Sequence, residues 1–583
     1  MGLGKGSARR LPPKKGPAIA VAAIALSMAT GLANGQAVAP SRVTPSTLAP
    51  PAGPAGAITV TSPAGLTPPQ NASNLSVAIS NVTVEGGFPE LEAETEAVTA
   101  KLRGRRVTVA EIFAAANAIE QAYAARGYVL VRVAVPPQQL KNGGPLRLVV
   151  VDGFVESVDV KGVPERQRAL VQARLASLIG KRHVTLAEIE RRLILASDIP
   201  GLVLSSTIAR GTAPGGTLLV LEATWSPIAG TFGFDNRLPP SLGNWELNGA
   251  LAVNSPLGYG EQLYGAASTG YNLGKVFDAT TPMQLLGVGA VLPLGVDGLK
   301  INPEYTNSVT RPAPVPGAPP DVGYYQRFDL RASYPLILTR AQALTFQATY
   351  EWAQEHLSPI GFDTDIYDDQ YNVARLQLED HLRLPYGLLA GTLVFSQGLG
   401  GRGETQAALT NVPLSQQGAF PTFSKLGLDA TWTQPLPYDL QGALIGQAQT
   451  SFGHPLFIAE QFSLDGSQAA SAYPLGTFSV DEGATLRGEI QRAYPFGWTQ
   501  GRGTIAPYIF GAASQGWIDD PTAVQPGHIN AESFGVGLRL GADTPTPVLP
   551  LGATFSIELA RGFSNVVGEG QVYRGNVAFA VKF

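Results

Sequence analysis

At 583 residues the chain is too long for one ordinary domain, and its 67 Gly and 46 Pro are the counts of a turn-rich, β-dominated protein. A formal charge of −4 with 15% charged residues supplies no electrostatic footprint for nucleic acid. Cysteine is absent, so disulfides and thiolate chemistry are excluded, which suits a chain that crosses an oxidising compartment without cross-linking.

Lys5, Arg9, Arg10, Lys14 and Lys15 precede an apolar run from Ala18 to Leu32, and Ala37-Val38-Ala39 offers a small-residue exit. Residues 1–39 therefore read as a secretory signal peptide. The rival is a retained anchor, against which the run is shorter than the roughly 20 residues a spanning helix needs. Residues 40–73 are rich in Pro, Ala, Ser, Thr and Gly, with little to bury, and read as a disordered or extended linker.

From Val77 to Trp225 strand and helix periodicities alternate. Val77 to Val84 alternates as a strand. Thr108-Val109-Ala110-Glu111 is a capping box, in which hydroxyl and carboxylate each satisfy an orphan N–H. Ile112, Phe113, Ala116, Ile119 and Tyr123 then share a helical face, and Gly127 suits the position that ends it. Strands at Val129–Val135 and Leu146–Val151 follow. The pattern recurs: Gly180 to Glu188 repeats the run before the first helix, Thr185 and Glu188 form a second capping box, and Ile189, Leu193 and Leu195 line the second helix. Strands at Leu202–Ile208 and Thr217–Glu222 close it. Internal self-similarity of this kind means two copies of one βααββ unit, over residues 74–153 and 154–226.

These units resemble POTRA domains. The first is similar to that of the two-partner secretion transporters (TpsB proteins, the hemolysin-activator family). The resemblance is carried by Arg126, Gly127, Tyr128, Val129, Arg132, Pro136, Pro137 and Gln138, closed by Leu146 to Gly153. It implies that this run binds a partner protein. It also implies a sixteen-stranded barrel after the repeats, normally plugged by an N-terminal helix. The stretch Pro40 to Asn71 is too Pro-rich for that helix.

After Trp225 the helical period disappears, and residues 227–583 read as an outer-membrane β-barrel. Phe328, Leu330, Ala332 and Tyr334 oppose Arg327, Asp329, Arg331 and Ser333. Leu344, Phe346, Ala348 and Tyr350 oppose Thr345, Gln347, Thr349 and Glu351. Leu426, Leu428, Ala430 and Trp432 oppose Lys425, Asp429, Thr431 and Thr433, and Leu486 and Ile490 oppose Arg487 and Glu489. A closed barrel is the sheet that spans lipid with no unpaired backbone, and its lumen accepts the charges. Asp429, Arg487 and Glu489 are accordingly lumen charges. The polar segments Asn302–Val322 and Glu351–Gln370 are expected to be extracellular loops. The last strand, Tyr573 to Phe583, alternates strictly, and terminal Phe583 resembles the assembly signal of bacterial outer-membrane barrels.

Gly233-Phe234-Asp235-Asn236 partly matches the family's opening strand. A gapless count from Phe462-Ser463-Leu464-Asp465-Gly466 places the tip of the family's lumenal loop on Ala470-Ser471-Ala472-Tyr473, with Leu464, Gly466 and Pro474 beside it. Tyr473 is kept, but Ser471 stands where the family has arginine. On the facing strand, Phe510 keeps its place while Ala512 stands where the family has the paired aspartate. Losing both partners together is expected to leave no charge in the contact.

Gly398, Gly400 and Gly403 fit a G-x-G-x-x-G spacing without the helix a nucleotide site needs. Asp363, Asp365, Asp368 and Asp369 lack the rest of a calcium loop. The five histidines lack metal-ligand spacing, and no nucleophile stands in a supporting context. No enzyme, cofactor or metal is expected. The leading expectation is a monomeric export pore for a β-helical partner protein, placed in lipid by the barrel assembly machinery. A barrel-assembly factor and a passive porin or adhesin stand as alternatives.

Overall fold

The computed structural model describes residues 38–48, 66–270, 278, 280–314, 316–317, 319–499, 501–544 and 551–583. All of the segment read as a signal peptide except Val38 and Ala39 lies outside them.

The first repeat comprises β1 (Ser76–Glu85), α1 (Glu92–Thr99), β2 (Arg105–Thr108), α2 (Val109–Ala125), β3 (Arg132–Ala134) and β4 (Gly144–Val151), with sheet order β2-β1-β4-β3. The second comprises β5 (Phe154–Lys161), α3 (Glu165–Leu175), α4 (Leu186–Ser197), β6 (Leu202–Arg210) and β7 (Gly216–Trp225), in the order β5-β7-β6. Both capping boxes form, Thr108 with Glu111 and Thr185 with Glu188. Gly127, at φ +92°, ends α2 in the left-handed conformation that glycine adopts without steric cost. The two cores adjoin: Val129 and Leu130, from the first repeat, are buried among Val163, Leu193 and Leu221 of the second. The Leu186 N–H at the start of α4 donates to the Gly127 carbonyl at 2.7 Å.

The barrel follows as β8 (Ile228–Asp235), β9 (Glu246–Asn254), β10 (Gln262–Gly270), β11 (Met283–Leu294), β12 (Leu299–Thr310), β13 (Asp321–Leu338), β14 (Gln342–Pro359), β15 (Tyr367–Leu384), β16 (Gly387–Gly401), β17 (Ser424–Leu436) and β18 (Leu440–Thr450). A two-residue hairpin, β19 (Phe462–Ser463) and β20 (Ser479–Val480), sits in the next loop. The barrel resumes with β21 (Glu482–Arg492), β22 (Tyr494–Trp498), β23 (Gly501–Trp517), β24 (His528–Thr544), β25 (Leu551–Ser564) and β26 (Gln571–Lys582). Since β21 and β22 both pair with β23 they are one interrupted strand, and the barrel closes on sixteen. The inverted alternation is physical. Leu330, Leu428, Leu486 and Ile490 are exposed on the outer wall, whereas Arg327, Asp329 and Arg487 are buried in the lumen.

Two expectations fail here. Asn302–Thr310 completes β12, Glu351–Pro359 completes β14 and Tyr367–Gln370 opens β15, so the loops shrink to 311–320 and 360–366. Those segments looked loop-like because Glu304, Thr306, Ser308 and Glu355 are polar, yet each is buried in the lumen. Polarity in a barrel strand marks the inner wall as readily as it marks water. The linker also departs from expectation. Val38–Leu48 makes one 3₁₀ turn at Pro40–Arg42 and lies inside the barrel, with Ala39, Pro40, Val43 and Leu48 buried. Pro45 keeps that turn from continuing as an α-helix, and the lumen wall supplies the partners that the segment itself lacks.

Helix α4 clamps the second repeat to one end of the barrel. Glu190 meets Arg340 at 2.6 Å in the β13–β14 turn, and Arg192 meets Asp297 at 2.7 Å in the β11–β12 turn. Arg191 donates to the Pro335 carbonyl at 3.0 Å, and Lys300 reaches Asp198 at 2.5 Å.

The barrel closes at its shortest ladder. β26 pairs with β8 at five positions, against seventeen for β13 with β14. The Asn236 side chain extends the seam, donating to the Gly575 carbonyl at 2.7 Å and accepting from the Val577 N–H at 2.8 Å. Phe583 adds two backbone bonds to Gly230, at 2.9 and 3.0 Å. Its ring lies so close that a Cβ at Gly230 would sit 2.3 Å from Cζ. Deleting Phe583 removes both bonds and the ring from this short seam. The expected outcome is less heat-modifiable barrel in the membrane fraction and more chain degraded before assembly. An unchanged amount of folded barrel would contradict it.

Candidate functional site in the barrel lumen

The connection from β18 to β21, residues 451–481, folds into the lumen and is fixed at three depths. Near its start, Phe457 stacks on Tyr371 with ring centres 4.8 Å apart. Glu460 receives Arg375 at 2.7 Å, Lys425 at 2.8 Å and the Tyr371 hydroxyl at 3.0 Å. Burial pushes the Glu460 carboxyl up, but the two cations outweigh it and hold the group below the ordinary carboxylate range. Arg375 and Lys425 stand in one register row across β15, β16 and β17, through Ser396, so this one residue ties the loop to the wall.

In the middle, β19 and β20 pair through Phe462–Val480 and Ser463–Ser479. Asp465 closes the turn, accepting from Ser463 Oγ at 3.0 Å, Gly476 N at 3.2 Å and Phe478 N at 2.7 Å. Among the described residues no cation pairs with it, and burial pushes its carboxyl up to about 6. Gly466 follows at φ +98°, which a side chain would oppose. At the loop's exit, burial likewise raises Asp481 to about 6, where it accepts from the Leu456 and Asp519 N–H groups.

At the tip, Tyr473 is buried with Leu464, Phe478, Tyr508 and Phe510, and its hydroxyl donates to the Glu569 carbonyl at 3.1 Å. Pro474 accepts from Thr477. The Ala472 N–H donates to Ser533 Oγ at 3.1 Å, and Asn576 donates to the Ser471 carbonyl at 2.8 Å. Ser471 Oγ accepts from Arg487 at 2.9 Å. That arginine is 1% exposed and also reaches Glu558 at 2.6 Å and Glu489 at 2.8 Å, with its guanidinium 3.8 Å from the Phe510 ring centre. Ala512 is the ladder partner of Arg487.

The expectation of an uncharged contact at Ser471 is therefore wrong. The guanidinium comes from the wall strand β21 and the carboxylates from β21 and β25, while the loop contributes a hydroxyl. A cavity of about 340 Å³ beside the tip is lined by Ser471, Arg487, Glu489, Arg539, Glu558 and Arg574. Asp429 stays apart: it is exposed and accepts from Gln447 across the ladder at 2.6 Å. Sequence reasoning missed Glu460, Arg375, Glu558 and Ser533 as contact residues. Strand parity could have placed the last three in the lumen but could not have paired them.

The run in the first repeat is not gathered on one open edge. Arg126 pairs with Glu94 at 2.6 Å, Tyr128 donates to Glu90 at 3.0 Å, and Arg132 donates to the Val131 carbonyl at 2.7 Å. Gly127 and Val129 form the junction with the second repeat. After Pro136 and Pro137, the Gln138 amide bonds the backbone of Arg147 at 2.8 and 2.9 Å, continuing the ladder where β3 stops.

Comparison with known proteins bears on the whole assembly. Residues 77–153 match the family model for the ShlB-type POTRA domain, and residues 215–540 match that for haemolysin secretion/activation protein ShlB/FhaC/HecB. The outer membrane transporter CdiB of Escherichia coli is 26% identical over 219 residues, 37% of this chain and 36% of the relative. The aligned part is thus little more than a third of that relative's length. In structure, CdiB from Escherichia coli superposes with a TM-score of 0.66 at 20% identity over 94% of each chain. CdiB from Acinetobacter baumannii gives 0.56 at 15%, over 89% of this chain and 95% of that one. At those identities the likeness is one of fold.

Two measurements check the loop. Ser471→Arg alone should loosen docking, since it crowds a second guanidinium beside Arg487, and Arg487→Ser alone leaves Glu558 without its cation. The double variant moves one guanidinium from wall to loop and should recover most of the loss, with a coupling of about 0.5–3 kcal/mol on barrel thermal stability. Additive losses would mean the two positions do not meet. The second is pH. With Asp465 and Asp481 raised to about 6 by burial, the docked loop binds more protons than the released loop. Docking should therefore tighten as pH falls through about 6, and weaken again below the ordinary carboxylate range, where Glu460, held low by Arg375 and Lys425 only in the docked loop, takes the opposite sign. Single-channel closed time at pH 7.5 and 5 reads this, and Asp465→Asn should remove its share.

Proposed function

Because the chain belongs to the haemolysin secretion/activation protein ShlB/FhaC/HecB family, we propose that it is an outer-membrane pore exporting a partner protein by two-partner secretion. The two POTRA repeats stand in the periplasm. The observation that carries this reading is a charge-lined barrel joined to periplasmic repeats and filled by a loop that ion pairs and hydrogen bonds seat against the wall, beside the aromatic packing of Phe457 and Tyr473. The polar contacts can be exchanged with water or with a passing chain.

The repeats capture the partner unfolded. A chain added to an open sheet edge gains main-chain hydrogen bonds whatever its sequence. Folding of a β-helical partner outside the cell draws the chain through. The pore acts as a monomer, is delivered by the barrel assembly machinery, and uses neither a catalytic residue nor a cofactor. A barrel-assembly role is the weaker reading, because the first repeat and the barrel both match secretion families.

Deleting residues 77–152 should reduce partner in the medium to background while heat-modifiable barrel persists in the membrane. Normal export by that variant would place recognition outside the first repeat.

A further inference from the structure

We propose that the lumen wall formed by β11 to β14 is a track that holds unfolded polypeptide by its main chain, and that Pro40–Leu48 occupies it as a built-in competitor. The inference rests on the export reading and names how that pore handles its cargo. Its basis is the kind of contact the segment makes. The Ser41 N–H donates to Glu355 at 2.9 Å and the Leu48 N–H donates to Glu304 at 3.1 Å. The Pro45 carbonyl accepts from Arg327 at 3.2 Å, and the Val38 carbonyl accepts from Thr310 at 2.8 Å. Each of these joins a wall side chain to a backbone group that every residue, or every non-proline residue, possesses. The wall thus offers both acceptors and donors to the main chain of whatever segment lies along it. A signal cut after Ala39 would remove the Val38 contact and leave those of Pro40 to Leu48.

The shape of the wall supports the same reading. Two glycines form notches where the segment lies against it. A Cβ at Gly287 would come within 2.0 Å of Leu48 Cδ1, and one at Gly323 within 2.6 Å of Pro40 Cδ. Neither glycine has a positive φ, so backbone conformation does not account for them. Side-chain contacts accompany them: Ser41 Oγ to Glu355 at 2.8 Å, and Val43 and Leu48 among Leu242, Met283 and Leu285. Arg42 reaches past the wall to the Gly476 carbonyl of the loop at 3.5 Å. A cargo chain taking the track would displace the segment and remove this contact from the loop, so that filling one site loosens the other.

The test uses the full chain lacking residues 40–48, reconstituted in planar bilayers, with two synthetic nine-residue peptides: Pro40–Leu48 as it stands, and the same residues in scrambled order. Removing the segment should raise conductance. Both peptides should then block, with apparent affinities within about threefold of each other, because the track reads main chain. Gly287→Leu and Gly323→Leu, each confirmed as folded by heat modifiability, should weaken both blocks about tenfold or more by filling the notches. Block by the native order alone would make the groove a dedicated plug seat and overturn the proposal, as would no block by either peptide. Secretion separates this from the wider reading. Peptide block in a pore that exports no partner would sink the export reading and leave the track, whereas export with no peptide block would do the reverse.

Discussion

A backbone group in lipid has no water to pair with, and in this molecule that constraint decides where everything else goes. Sixteen strands close on one another so that each pairs with a neighbour on both sides, and closure makes an inside. The outside must then be apolar, which Leu330, Leu428, Leu486 and Ile490 supply, and the charges have only the lumen left. The closure is uneven. The β26–β8 seam is a short ladder extended by a side-chain amide and the terminal residue, so the step that makes the barrel a barrel depends on Asn236 and Phe583.

The lumen charges are organised as seats. Arg375 and Lys425 converge on Glu460, Arg487 bridges Ser471 to Glu558, and Glu304 and Glu355 receive the N-terminal segment. Burying charges this way gains little net stability, because desolvation offsets most of the attraction, but breaking one partner leaves the other costly. That asymmetry suits a gate. The docked state is specified sharply, since a misplaced loop strands a buried charge, yet it is only modestly favoured over one in which water or another chain satisfies the same groups. The periplasmic side contrasts with this: α4 is clamped to two turns by several ion pairs, so the second repeat is fixed at the mouth while the lumen's contents are exchangeable.

The local grammar was legible from residues alone. Thr108/Glu111 and Thr185/Glu188 announced two helices, Gly127 announced an end, and strict alternation announced the barrel wall. What alternation cannot do is separate water from lumen, so Asn302–Thr310 and Glu351–Pro359 looked like loops though Glu304, Thr306, Ser308, Glu351 and Glu355 are buried. Pairing was also illegible. Ser471 and Ala512 looked like the two halves of a deleted ion pair, but Arg487 sits opposite Ala512 in the ladder and turns toward Ser471. Only the register and the fold of a long loop bring those atoms together, and neither is local. The N-terminal segment was misread for a related reason: it has no core of its own, and its hydrogen-bond partners on the wall are more than 250 positions away in the chain.

The central claim is that the loop tip is docked against the wall and must leave for the pore to work. The absence of cysteine allows a direct test, because Ala472→Cys with Ser533→Cys introduces the only two thiols, at positions now joined by a 3.1 Å backbone-to-hydroxyl bond. Oxidation in the membrane should lock the pair, abolish partner export and hold the channel in its low-conductance state, with both restored by reductant. Failure to cross-link, or undiminished export by the fully cross-linked protein, would contradict the account.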